Sequence, residues 1–358
     1  MRKRITAGLL AAFLVMSAGC QAQQGWTYEN EAARMTSGTY LYLMMTAYFD
    51  AYSDLITTDE ATGSTVTPEN QKAVITAERD GVKVSDWIVE QAKTGALRYM
   101  GAEKKFKELG LEYDYEDQYT AYSMTQEYWG YMGDMTTKNS VSYESVYAQH
   151  LNEVCRQRVF GELYKAGSDL AGDEDQIKAD FAAAYGKADY MQFYKTRADE
   201  EAGESQDALN AALKATAEKY KARMEAGEAI ETLAYDYNVE TAEGEEAKAA
   251  VQQPQKGSQT IVVSQGSTNY SETLVNGILE AKSYTPAILE NDSYYYLINP
   301  MDVMADPADY EAYRDAFLYP QHEEEFLAML EEWGAEGLTE NKSEIRRYTA
   351  KKLQMDFS

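Results

Sequence analysis

The chain has 358 residues, 33 Lys+Arg against 60 Asp+Glu for a net charge of -27, and a 44% hydrophobic share. So acidic a chain offers no basic stripe to neutralise phosphates, which excludes nucleic acid as a partner, while the apolar content suffices for packed cores and excludes wholesale disorder. Two cysteines, Cys20 and Cys155, exclude a disulfide framework or a Cys-based zinc site, and two histidines, His150 and His322, leave little for imidazole chemistry; neither a metal nor a cofactor is expected.

The first segment sets the compartment. Arg2, Lys3 and Arg4 precede an apolar run over 5–19. That run is shorter than the roughly 20 residues a membrane-spanning helix needs, and with its basic start it reads as a secretory signal peptide. Its end, Met16-Ser17-Ala18-Gly19-Cys20, resembles the bacterial lipobox, with Ser17 where that motif usually carries Leu. The resemblance implies cleavage after residue 19 and acylation of Cys20. The body is then exported, held at the outer face of the cytoplasmic membrane by its lipid, and folded in water. No later segment is apolar enough to span a bilayer.

Residues 20–31 are polar and read as a tether. A helix follows over 37–56, with Tyr40, Leu43, Met44, Ala47, Tyr48, Ala51 and Leu55 at three- and four-residue spacing and Ser37 as its candidate cap. Residues 57–67 read as a loop. Helices are expected over 84–109, stopped by Gly110, then over 113–135 and over 142–165, the last capped by Ser142 with Tyr143, Val146, Tyr147, Leu151, Val154 and Val159 on one side. A shorter helix over 173–185 opens on Asp173-Glu174-Asp175, where negative charge suits the helix dipole.

The pattern then changes. Strands are expected at 188–195, 260–263, 287–290 and 294–299, and helices at 208–226, 229–237 and 271–281. Residues 241–258 read as a mobile loop. Helical signal resumes at Pro307, Pro320 is expected to break or kink it before a helix over 321–334, and a last helix covers 341–348. Strands gathered in one stretch of a helical chain indicate α+β. The expected domains are a helical N-terminal domain over 32–186, a small mixed insert over 187–303, and C-terminal helices over 304–358 that return to the first domain.

With that order of elements, the chain resembles the extracytoplasmic foldases of the SurA/PrsA type. Further stretches carry the likeness: Ser37-Gly38-Thr39-Tyr40-Leu41-Tyr42, Ala102-Glu103-Lys104-Lys105-Phe106 ending in Leu109-Gly110-Leu111, the stretch 174–185, Glu325-Phe326, and 341–353 with Tyr348-Thr349-Ala350-Lys351-Lys352-Leu353. The resemblance implies a helical chaperone domain of the SurA N-terminal kind with an inserted parvulin-like prolyl isomerase domain, acting on unfolded or newly exported polypeptides. It also implies where catalysis should sit. Tyr190 stands at the position of the first parvulin histidine, and Tyr296, in Tyr294-Tyr295-Tyr296-Leu297-Ile298, at the second. The family's Gly-rich stretch is absent, and 243–257 does not supply it. His150 and His322 fall outside the insert. Lowering an isomerisation barrier of about 18–20 kcal/mol needs an organised pocket, so efficient catalysis is not expected.

The helix over 113–135 carries Tyr113, Tyr115, Tyr119, Tyr122, Tyr128, Trp129 and Tyr131, with Met124, Met132 and Met135. At helical spacing most of these belong in a core, yet they cannot all share one face. Those left outside, with Tyr119, Tyr122, Met124, Tyr128, Trp129 and Met132 as candidates, would offer large contact area, hydroxyls and adaptable thioethers to unfolded chains. The acidic runs at 243–246 and 323–325 read as solvated surface, and Cys155 as a buried thiol. Three functions stay open: a non-catalytic chaperone, an active prolyl isomerase with an altered pocket, and a solute-binding lipoprotein of a transporter. The last is disfavoured by the lack of alternating strands and helices.

Overall fold

The computed structural model describes residues 25–58, 64–79, 81–198, 205–281 and 284–355; the expected signal peptide and Cys20 lie outside them. The fold is α+β, and the chain divides into two compact units. One joins the N-terminal part, through Lys165, to residues from Tyr319 onward; the other is Ala166–Leu318, which contains the stretch 187–303.

In the first unit, β1 (Trp26–Glu29) and β2 (Arg34–Thr36) pair antiparallel and lead into α1 (Ser37–Asp54). The tether reading fails from residue 25 onward, because Tyr28 is buried against Tyr40 and its strand is paired on both sides. Thr36, not Ser37, caps α1: its side chain accepts from the Thr39 amide, while Ser37 already lies within the helix. The expected loop over 57–67 carries a minimal hairpin, β3 (Thr57–Thr58) with β4 (Thr65–Val66). Next come α2 (Gln71–Thr76) and a second small hairpin, β5 (Glu78–Arg79) with β6 (Val82–Lys83).

Three long helices complete the N-terminal body: α3 (Val84–Glu108), α4 (Tyr115–Lys138) and α5 (Tyr143–Leu163). Gly110, at φ +68°, ends α3 as expected, with the Leu111 amide donating to Phe106 and the Gly110 amide to Lys107. The one-sided pattern assigned to α5 does not hold. Gln149, His150, Asn152 and Cys155 are buried along with Val146, Val154 and Val159, because α1, α3 and α4 all pack on this helix. Met35, Tyr40, Met44, Met45, Tyr48, Ile88, Ala92, Ala96 and Met100 make the core.

The second unit opens with α6 (Glu174–Ala184), capped by Asp173, and continues into β7 (Tyr185–Tyr194). Helices α7 (Gln206–Glu225), α8 (Ile230–Thr241) and α9 (Glu245–Ala250) follow, so the stretch read as a mobile loop contains a helix. Then come β8 (Thr260–Ser264), α10 (Glu272–Leu279) capped by Ser271, β9 (Ala287–Glu290) and β10 (Tyr294–Met301). The four strands form one antiparallel sheet in the order β8-β7-β10-β9. Alternation gives it two buried faces. Met191, Phe193, Tyr295 and Leu297 meet Tyr220, Met224 and Leu233 of α7 and α8, while Ala188, Val263, Tyr296 and Ile298 meet Leu274, Val275 and Ile278 of α10.

The helix α11 (Pro307–Ala335) continues across Pro320, so of the expected break or kink the break does not occur. Proline removes one amide and leaves the Ala316 carbonyl without its helical partner. Flanking packing offsets that loss: Leu318, Phe326 and Leu330 are buried, and Tyr319 lies edge-on to Phe160. After it, β11 (Thr339–Glu340) adds to β1, and the expected last helix shrinks to the single turn α12 (Lys342–Ile345) before a 3-10 turn at Ala350–Lys352. Two amide side chains then grip the extended C-terminal segment as a strand would. Asn139 donates to Gln354 O and accepts from its amide (2.9 and 2.8 Å), and Gln71 does the same with Leu353 O and the Met355 amide (2.6 and 3.0 Å).

Candidate functional site

Helix α4 is fixed at its start by a reciprocal cap. The Asp114 carboxylate accepts from the Asp117 amide at 2.9 Å and the Asp117 carboxylate from the Asp114 amide at 3.0 Å, while Arg158 of α5 pairs with Asp117. Its inward face is narrow: Ala121, Thr125 and Thr136 are fully buried. Thr125 donates its hydroxyl to Ala121 O at 2.6 Å, so His150 Nδ1–H must be the donor to Thr125 Oγ1 at 2.9 Å, leaving Nε2 to accept from the Tyr42 hydroxyl at 3.4 Å. Burial holds His150 below its ordinary pKa, so the ring is a neutral bridge inside the helix pack.

On the side away from Ala121 and Thr125, large side chains stand outside. Tyr115 is 78% exposed, Tyr119 57% and Tyr122 43%. These residues, with Gln126, stand at i, i+4, i+7 and i+11, which at 100° per residue confines them to one stripe. Tyr115 and Tyr119 stack at 6.1 Å, and Gln126 Nε2 donates to the Tyr122 hydroxyl at 2.9 Å. Trp129 continues the stripe, half-buried, with its ring 5.4 Å from that of Tyr143 on α5. Tyr131 is exposed on a different side of α4.

Of the six sequence candidates, Tyr119, Tyr122 and Trp129 therefore come together. Tyr128 turns inward, its ring 5.2 Å from Tyr42 and 5.9 Å from His150. Met124 and Met132 are half-buried away from the stripe. Tyr115 and Tyr143 join the surface without having been singled out; for Tyr115, the four- and three-residue steps to Tyr119 and Tyr122 were the available signal.

The other candidate pair lies in the second unit. Tyr190 of β7 stands opposite Ile298 of β10, and Tyr296 two residues earlier stands opposite Gln192, so the two tyrosines are diagonal neighbours on one sheet face. Tyr296 is only 3% exposed, in the apolar cluster under α10, and Asn291 reaches its hydroxyl at 3.4 Å. Tyr190 is half-buried and edge-on to Tyr270 at 6.0 Å, with its hydroxyl raised in pKa by burial. Cys155 is fully buried, and burial pushes its thiol up, which removes it as a nucleophile. No group of His, Cys, Asp and Glu able to hold a metal ion occurs among the described residues, and no described helix is long and apolar enough to cross a membrane.

No family model matches the chain, and no curated protein matches it. Among solved structures, it is similar to the foldase protein PrsA from Streptococcus pneumoniae, with 13% identity, 76% of this chain and 96% of that one covered, and a TM-score of 0.36. It is also similar to PrsA from Bacillus subtilis, with 15% identity, coverage of 73% and 90%, and a TM-score of 0.34.

Proposed function

We propose that this protein is a lipid-anchored extracytoplasmic chaperone that holds non-native polypeptide on the aromatic stripe of α4 and α5 and does not catalyse prolyl isomerisation efficiently. The observation that carries this reading is the run Tyr115, Tyr119 and Tyr122, exposed along one stripe of α4 away from its buried Ala121 and Thr125. Flat aromatic rings give contact area to any extended chain at low entropy cost, and their hydroxyls satisfy backbone groups the client exposes. Acylated Cys20 would keep this surface where exported chains emerge.

The sheet supports the non-catalytic part. A catalytic pair needs open space for a twisted amide, whereas Tyr296 is buried under α10 as a core residue. The antiparallel pairing of the described strands also favours this reading over a solute-binding lipoprotein of alternating parallel strands and helices.

The test is suppression of aggregation of an unfolded secreted protein by the full chain at stoichiometric concentration. The parent should suppress it and the Tyr115→Ser/Tyr119→Ser/Tyr122→Ser variant should not. No suppression by the parent would reject the chaperone reading. A proline-limited refolding reaction accelerated by the parent would reject the non-catalytic one.

A further inference from the structure

One short segment of the described surface is basic. Between Lys342 and Lys352 stand Lys342, Arg346, Arg347, Lys351 and Lys352, all exposed, against the single carboxylate of Glu344, in a chain of net charge -27. Glu344 offsets one of them, Arg347, and leaves the other four unmatched within the segment. It is buried, accepts from Ser37 at 3.1 Å and Tyr348 at 2.7 Å, and pairs with Arg347 at 2.8 Å. Lys352 donates to Arg347 O at 2.7 Å, which ties the two halves of the basic segment together.

This island adjoins the point where the described chain begins. Gly25 accepts from the Ser37 amide at 2.9 Å, and a side chain built on Gly25 would collide with the Glu344 carboxylate. Cys20 lies five residues earlier, so an extended chain places it at most about 17 Å from Gly25.

We propose that the segment Lys342–Lys352 is a docking surface for an anionic lipid bilayer, seated beside the anchor; this rests on the reading of Cys20 as the acylated residue. Acylation at that distance brings the cations toward the headgroups, where each contributes about fivefold to association and the effect decays over about 8 Å at physiological salt. The rest of the surface, rich in Asp and Glu, is repelled by the same lipids. Attraction at this segment and repulsion elsewhere orient the first unit with the basic segment against the membrane.

The test couples the chain beginning at Cys20 to a maleimide lipid through that thiol, Cys155 being buried, and follows amide exchange over 342–352. Exchange should slow about threefold or more on vesicles with about 30% anionic lipid relative to neutral ones, and the difference should collapse in high salt. It should vanish in Arg346→Gln/Arg347→Gln/Lys351→Gln/Lys352→Gln and survive in Arg346→Lys/Arg347→Lys. Equal exchange on both vesicles, protection retained in the Gln variant, or protection by a soluble anionic polymer but not by vesicles would overturn the proposal. Acylation is read separately: a Cys20→Ala chain as fully membrane-associated in cells as the parent would overturn the anchor alone.

Discussion

Gly101 of α3 and Gly334 of α11 lie back to back. A methyl on Gly101 would stand 3.0 Å from the Gly334 amide nitrogen and closer still to the Leu330 carbonyl oxygen, and a methyl on Gly334 would meet the Gly101 amide and the Leu97 carbonyl in the same way. Backbone therefore touches backbone where the returning helix joins the N-terminal body. Around this contact Arg98 pairs with Glu331 at 2.7 Å, Lys104 pairs with Glu336, and the Lys105 ammonium sits 4.4 Å over the Trp333 ring.

Gly101→Ala should therefore destabilise the first unit by about 2 kcal/mol or more, because backbone cannot yield as a side chain does. Gly130→Ala is the control: it is also helical, has nothing within 4 Å of the added methyl, and should stabilise by up to about 1 kcal/mol. Denaturant midpoints of the two variants check both signs. Comparable losses in the two would refute the close-contact account.

In the second unit Glu174 accepts from the Arg314 guanidinium at 2.8 Å and from the Tyr310 hydroxyl at 2.6 Å, and these bonds hold its carboxyl below the ordinary value of 4.5. A depressed carboxylate contributes stability above its unfolded pKa and loses it as pH falls through the folded one. Unfolding free energy should thus decline below about pH 4.5 more steeply in the parent than in Glu174→Gln. At neutral pH the variant should cost about 2–3 kcal/mol, because the buried Arg314 guanidinium loses the carboxylate charge that accepts two of its hydrogen bonds.

His150 acts at higher pH. Its pKa is lowered from 6.5 by burial among Thr125, Tyr42 and Tyr128, so the unfolded chain takes up a proton before the native one does. Stability should be full above pH 6.5 and fall as pH drops below it, down to the folded pKa. His150→Asn should flatten that part of the pH–stability curve while costing stability at pH 7.5. An unchanged slope would mean that the ring is open to water.

Cys155 is fully buried with its thiol pushed up. In a Cys20→Ser chain, thiol reagents should modify nothing on the native timescale and should react at a rate that tracks unfolding in denaturant. Rapid native labelling would contradict the packing of α5 against α3.

Local chemistry made much of this fold legible. Ser142 caps the helix it was expected to cap, helices begin at Asp173 and Ser271 as expected, and Gly110 stops α3 because its left-handed backbone suits only glycine without strain. What escaped was non-local. Trp26–Glu29 is short and polar-looking, and its second partner, Thr339–Glu340, lies some three hundred residues away. Pro320 looked like a break because the aromatic packing that carries the helix past it comes from Phe160, on another element. Gly101 and Gly334 carry no signal until two helices meet. The aromatic surface was half legible. Of the six candidates on α4, Tyr119 and Tyr122 are exposed and Trp129 half-buried on one stripe, but Tyr128 points inward because Tyr42 and His150 await it there.

The most direct measurement places a photo-crosslinking aromatic residue at position 119 of the full chain, or at position 194 as a reference. Both tyrosines are exposed, 57% and 60%, in different units. With an unfolded secreted client, the account predicts crosslinks at 119 several-fold above those at 194, lost once the client has folded. Equal yields at the two positions, or capture of folded and unfolded client alike at 119, would contradict it.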